Sequence, residues 1–183
     1  MSAIPVFQIG AWNAWILMVI IFLYILLTVR IFKNVGEKIA HGEEETKFSK
    51  YVALLFFILL VYSVFLPLKL WSIWFYTGIA IYLLGLIVLT IAVVNIAATP
   101  QGKLFTKGVY HYSRNALSLG MILVFIGISI ASASWLFLLL LAILTVITHL
   151  MILVEERPCL NKFGEAYREY MNRTPRWIGI TKS

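Results

Sequence analysis

The chain has 183 residues, 62% hydrophobic and only 13% charged, with 15 lysines and arginines against 8 acids and a formal net charge of +7. That composition excludes an ordinary soluble domain, in which about 25% of residues are charged, and identifies an integral membrane protein with little sequence left for a separate soluble unit. A single cysteine, Cys159, rules out an internal disulfide. His41, His111 and His149 are scattered without metal-ligand spacing, so no metal is expected.

The N-terminus, "MSAIPVFQIG", lacks the basic start and small-residue cleavage site of a signal peptide. The first apolar run, about Trp12 to Phe32, is therefore expected to remain as a span. A mixed-charge loop, "KNVGEKIAHGEEETKFSK", follows it. The second span, about Tyr51 to Leu68, stops near Pro67, and a very short link through Lys69 leads into the third, "WSIWFYTGIAIYLLGLIVLTIAVVNI". So short a link predicts a tight antiparallel hairpin between these two.

After the polar connector "AATPQGKLFTKGVYHYSRN", residues Ala116 to Val154 form an apolar run of 39 residues. A helix of about 20 residues already crosses a hydrocarbon core of about 30 Å, so the run divides into a fourth and a fifth span at Ser132 to Ser134. The expected fold is all-α and polytopic, with about five transmembrane helices in one integral membrane domain covering 1–183. Beyond them, Leu160, Phe163, Tyr167, Tyr170 and Met171 recur at helical spacing, predicting a C-terminal amphipathic helix. Pro158 lacks a backbone N–H, which predicts a break or kink near Arg157. Gly164 weakens the tail helix and suggests a close approach there.

Lysine and arginine are retained on the cytoplasmic side of membranes. With the N-terminus outside and the C-terminus cytoplasmic, every one of the 15 basic residues except Lys69 falls inside. Trp12, Trp15, Trp71, Trp74 and Trp135 then gather at the outer interface, where an indole is favoured. This topology explains the positive charge without nucleic acid; the same residues attract anionic lipid headgroups. It also collects the connector and the tail from Glu155 onward on the cytoplasmic face.

Glu155 and Glu156 close the fifth span, where an unpaired buried carboxylate costs several kcal/mol. Either they simply end the helix, paired with Arg157 or Arg114, or they belong to a functional site. His149 lies two turns before Glu156 on the same helix side and is read either as a packing residue or as part of that site; His111 is similar. There is no Ser-His-Asp order, no P-loop, no GxGxxG after a strand, and no aspartate at all. What remains is a basic-aromatic phrase, a Glu pair and an aromatic tail beside lipid, which suits a polar cofactor and an amphipathic substrate.

These residues resemble the membrane methyltransferases that include isoprenylcysteine carboxyl methyltransferase and the phospholipid N-methyltransferases. Their pattern is Gly-x-Tyr, then Arg-His-Pro-x-Tyr-x-Gly, a helical hairpin, a Glu-Glu pair, and Phe-Gly-x-x-Tyr-x-x-Tyr with a Pro-containing end. Here the matching phrases are "GVYHYSRNALSLG", Glu155 with Glu156, "FGEAYREY" and "TPRW". Asn115 replaces the family's His, Ala116 its Pro and Ser118 its Tyr; Asn115 hydrogen-bonds but cannot titrate.

The resemblance implies an S-adenosylmethionine-dependent methyltransferase acting on a lipophilic, membrane-embedded acceptor, with the cofactor and catalytic region in 98–183. It implies Arg114, Glu155 and Glu156 as catalytic residues. The cofactor is expected on Gly108, Tyr110, Arg114, Asn115, Gly120, Glu155, Glu156 and Tyr167, and the acceptor near His149, Tyr170 and Arg168. Two other readings stand beside it: a non-catalytic membrane protein on the same scaffold, and an NADPH-dependent membrane sterol reductase, to whose end "EERPCLNKFG" is similar.

Overall fold

The computed structural model describes residues 9–35, 43–100 and 103–179. Its helices are α1 (Trp15–Val35), α2 (Glu43–Val64), α3 (Ile73–Ala97), α4 (Ala116–Ala131), α5 (Trp135–Phe163) and α6 (Glu165–Arg173), with a 3₁₀ turn at Gly108–His111. Among the described residues there is no strand. Lys47–Val64, Ile73–Ala97 and Trp135–Phe163 are long and apolar enough to cross a membrane; Trp15–Thr28 and Ala116–Ala131 are shorter apolar stretches. Side chains such as Leu23, Phe57, Ile87, Leu139 and Val146 are more than half exposed. Hydrocarbon, not water, is the solvent that such an exterior requires. The protein is a polytopic all-α membrane protein.

Serines set two of the helix starts. Ser72 caps α3 by accepting from the Phe75 N–H, and Ser134 caps α5 by accepting from Phe137. The "SAS" break between α4 and α5 falls where the sequence places it. Ala133 takes a left-handed backbone there (φ 51°), and Ser132 Oγ donates back to Ile128 O at 2.7 Å.

The hairpin pairing differs from expectation. The most extensive helix contact joins α3 to α4, while α2 packs chiefly on α5. The 65–72 linker turns at both ends, is open between them, and does not bring α3 straight back onto α2. It crosses the bundle end, where Ala14 N donates to Leu66 O, Leu68 N to Trp12 O, and Lys69 N to Ala131 O at 2.9–3.1 Å. Asn13 Nδ2 donates to Val64 O at 2.7 Å. The five tryptophans expected at one interface lie around this end, all at least 36% exposed.

Glycines make the α3–α4 pairing the closer one. Gly78 and Gly85 on α3 face Gly127 and Gly120 on α4 in antiparallel register. A Cβ on Gly127 would lie 2.5 Å from Tyr82 N, and one on Gly85 would lie 2.6 Å from Val124 N. The helices touch backbone to backbone, the arrangement small residues permit in lipid. Gly120, expected at the cofactor, belongs to this interface: its Cβ would meet Leu89. Behind it, Phe125 contacts Phe56 and Phe137, Tyr62 Oη pairs with Ser134 Oγ at 3.1 Å, and Tyr82 Oη donates to Leu17 O at 3.0 Å.

Of the break or kink expected near Arg157, the break does not occur: α5 runs through Pro158 to Phe163. Proline removes one helical hydrogen bond, and the Val154 carbonyl that loses it is followed by Glu155, Glu156 and Arg157, where water and headgroups can bond it. The chain turns instead at Gly164, whose φ of 55° is the left-handed region favouring glycine. No close approach explains this residue, since a Cβ there would meet nothing within 4 Å.

Gly127→Val is expected to drive the valine side chain into the α3 backbone and destabilise the protein by about 3 kcal/mol or more. Thermal unfolding in detergent, compared with Ala142→Val on an exposed face of α5, measures it.

Candidate functional site

At the end opposite the tryptophans, the α4 start, the α5 end and the tail after α6 converge. Asn115 occupies the N-cap position of α4 but makes no side-chain cap. Its Nδ2 donates instead to Arg176 O at 3.1 Å, while the Arg114 N–H donates to Pro175 O at 3.1 Å. Ser113 Oγ accepts from the Asn115 N–H at 3.2 Å and contacts Arg176 O at 3.5 Å. Backbone and amide groups thus hold residues 174–177 against 113–115, and Thr174 is buried.

This docking delivers a second cation to Glu156, whose side chain is 10% exposed. Arg176 grips the carboxylate with both arms of its fork, Nε to Oε1 at 3.0 Å and Nη2 to Oε2 at 2.8 Å. That hydrogen bonding raises the Arg176 pKa further above its usual value. Arg114 Nη1 lies 3.2 Å from Oε1 on the other side, within ion-pair distance. The alignment is too poor for a hydrogen bond, and Arg114 Nε and Nη1 are both buried without a hydrogen-bond acceptor. Arg114 is 8% exposed at its side chain. Two guanidiniums therefore share one carboxylate, and two buried Arg114 donors lack a hydrogen-bond acceptor, a combination that favours an anion.

Tyrosines line the neighbouring layer. Tyr170 Oη donates to Tyr110 O at 2.6 Å, fastening α6 to the 3₁₀ turn, and the Tyr167 and Tyr170 rings meet at 6.2 Å. Burial pushes the Tyr167 phenol from 10.0 up to about 12, helped by the neighbouring Cys159 and the Glu156 carboxylate and opposed by the charge and hydrogen bonding of Arg114. Burial also raises Tyr110 and Tyr170. All three phenols stay neutral at physiological pH and can donate hydrogen bonds. Further along α5, His149 Nδ1 accepts from Trp177 Nε1 at 3.1 Å, with the rings stacked at 5.9 Å. His149 is thus tied to the tail.

Of the site residues expected from sequence, Tyr110, Arg114, Asn115, Glu156, Tyr167 and Tyr170 come together, with His149 two turns away. Glu155 is half-buried beside them on α5. Arg168 does not join; it is 67% exposed and pairs with Glu165 at 3.3 Å. Gly108 adopts a left-handed φ of 61°, and a Cβ there would strike the Asn95 side chain of α3. Among the described residues no group of three or more His, Cys, Asp or Glu could hold a metal.

Arg176 is the principal residue that the sequence reading missed. Arg157 and Arg114 were the partners expected for the Glu pair; Arg157 is exposed, and Arg176 stands 20 residues away in sequence. The available signal was chemical: a Glu pair at a membrane boundary needs cations, and "TPRW" supplies one.

The phospholipid methyltransferase family model matches residues 73–166, which is 94 of the 183 residues and slightly more than half of the chain. The match runs from the first residue of α3 into α6 and stops short of Arg176. No curated protein and no solved structure matches the chain significantly.

Glu156→Gln leaves the buried Arg114 and the partly exposed Arg176 without their carboxylate and is expected to cost about 3 kcal/mol of stability. Arg176→Gln leaves Arg114 still paired and costs about 1.5 kcal/mol, so the order of the two unfolding midpoints checks the cluster. The tyrosines fix an alkaline limit. A folded pKa raised from 10.0 to about 12 gives a contribution fully present below pH 10 and lost as pH rises toward 12. Phenolate absorbance and Trp177 emission should change together in that window.

Proposed function

Because the chain belongs to the phospholipid methyltransferase family, we propose that it uses S-adenosylmethionine to methylate a lipophilic acceptor held in the membrane. The observation that carries this reading is the buried Arg114 guanidinium, which shares the Glu156 carboxylate with Arg176 and keeps Nε and Nη1 without a hydrogen-bond acceptor. Its open Nε and Nη1 donors suit an anion such as the carboxylate of the cofactor's amino-acid end. When bound, S-adenosylmethionine supplies an electrophilic methyl group on a sulfonium.

The protein's own groups have distinct tasks in this scheme. Glu156 orients Arg114 and does not contact the cofactor's ammonium, since both its oxygens are engaged by arginines. Glu155, on the next position of α5, takes the ammonium or the ribose hydroxyls. Tyr167 and Tyr170, neutral and partly buried, line the aromatic wall. Asn115 anchors the tail and cannot remove a proton. A carboxylate or thiolate acceptor of the isoprenylcysteine kind needs no base; a phospholipid amine must lose a proton first, and Glu155 is the base assigned to it. Orienting both reactants is the larger part of the rate enhancement. We place this site on the cytoplasmic face, with the N-terminus outside, because among the described residues every lysine and arginine except Lys69 lies at its end of the helices.

A second reading is a non-catalytic protein on the same scaffold. It is favoured by the internal use of Asn115 and Glu156, both occupied by the tail's own Arg176. Isothermal calorimetry of S-adenosylmethionine binding to the detergent-purified protein separates the two. Saturable binding, weakened about tenfold or more by Arg114→Ala with the unfolding midpoint nearly kept, is expected from the loss of a charged contact. No binding to a well-folded sample supports the non-catalytic reading instead.

A further inference from the structure

A shallow, open cleft of about 630 Å³ lies between α3 and residues 106–112. Ile91, Val109 and Tyr112 form its apolar wall, and Thr106, Lys107 and His111 supply its polar rim. Gly108, expected at the cofactor, lines it as well, and the burial pattern of the turn sets the remaining residues on two faces. Tyr110 and Ser113 are buried toward α6 and the tail, whereas Lys107, His111 and Tyr112 are exposed. Ile91 is 41% exposed, two turns in from the end of a membrane-crossing helix. The cleft therefore runs from hydrocarbon depth to the polar boundary.

Its chemistry selects one kind of occupant. A lipid offers an acyl chain to the Ile91 wall and a headgroup to the rim, matching the apolar-to-polar gradient. The rim has a permanent cation, a hydroxyl donor and an imidazole, and no residue lining the cleft is acidic. Such a rim attracts phosphate oxygens and repels an ammonium headgroup. We propose that this cleft is a binding site for an anionic phospholipid, with the phosphate held by Lys107, Thr106 and His111. The bound lipid is a retained partner of the fold and not a methyl acceptor, because an amine headgroup would find no carboxylate there. The site does not depend on the cofactor reading.

The test uses the full-length protein in nonionic detergent, titrated with short-chain phosphatidylglycerol and, in parallel, phosphatidylcholine. Lys103→Gln is the control, an exposed cation on the same connector that does not line the cleft. Saturable phosphatidylglycerol binding, weakened about tenfold by Lys107→Gln and less than about twofold by Lys103→Gln, is the result expected of one charge-assisted phosphate contact. Weaker phosphatidylcholine binding and failure of inorganic phosphate to bind comparably identify the whole lipid as ligand. Equal losses in both variants, equal affinity for both lipids, inorganic phosphate binding as tightly as the lipid, or no saturable binding would each overturn the proposal. Lys107 is exposed, so its variant should unfold at the wild-type midpoint, which confirms that binding and not folding is read.

Discussion

One carboxylate organises the polar end of this protein. Glu156 sits at the boundary where a membrane helix leaves the hydrocarbon, and it is held by arginines from two segments, Arg114 before α4 and Arg176 beyond α6. A buried carboxylate cannot stand alone there, and its charge is what draws the tail back across the bundle. Once Arg176 is seated, its carbonyl receives the Asn115 amide and Trp177 reaches His149. The tail contributes to the candidate site because the ion cluster requires it.

That cluster works only on a rigid frame, and the glycines of α3 and α4 provide one. Where two backbones touch, neither helix can slide or rotate without collision. The 98–115 connector therefore begins and ends at fixed points, and its 3₁₀ turn presents Tyr110 to Tyr170 on one side and the basic cleft on the other. Membership of the phospholipid methyltransferase family is carried by this same frame, since the match begins with α3 and ends in α6. The segments outside the match have other tasks: α1 and α2 complete the bundle, and the tail closes the ion cluster.

Much of the candidate site was legible from chemistry at the level of residue types. A Glu pair at a helix end, an arginine in a basic-aromatic phrase and aromatic residues at helical spacing in the tail are local signals, and the structure brings Arg114, Glu156, Tyr110, Tyr167 and Tyr170 together. Gly120 was drawn in by its motif position, and Arg168 by its place within the matched tail phrase. Gly120 serves helix packing and Arg168 faces solvent with Glu165, because a motif position records spacing along the chain and not which side of a helix faces a ligand.

The sequence by itself determined the membrane character, the apolar helices, the break at Ser132 to Ser134 and the amphipathic tail, because each follows from hydrophobic length and local capping. Only the tertiary structure decided that α3 pairs with α4 and not α2, that the turn after α5 comes at Gly164 and not Pro158, and that Arg176 completes the pair on Glu156. Helix partners are chosen by which surfaces let backbones approach most closely, and a buried charge takes whichever cation the folded chain brings within reach. Both are properties of distances in space between residues far apart in sequence.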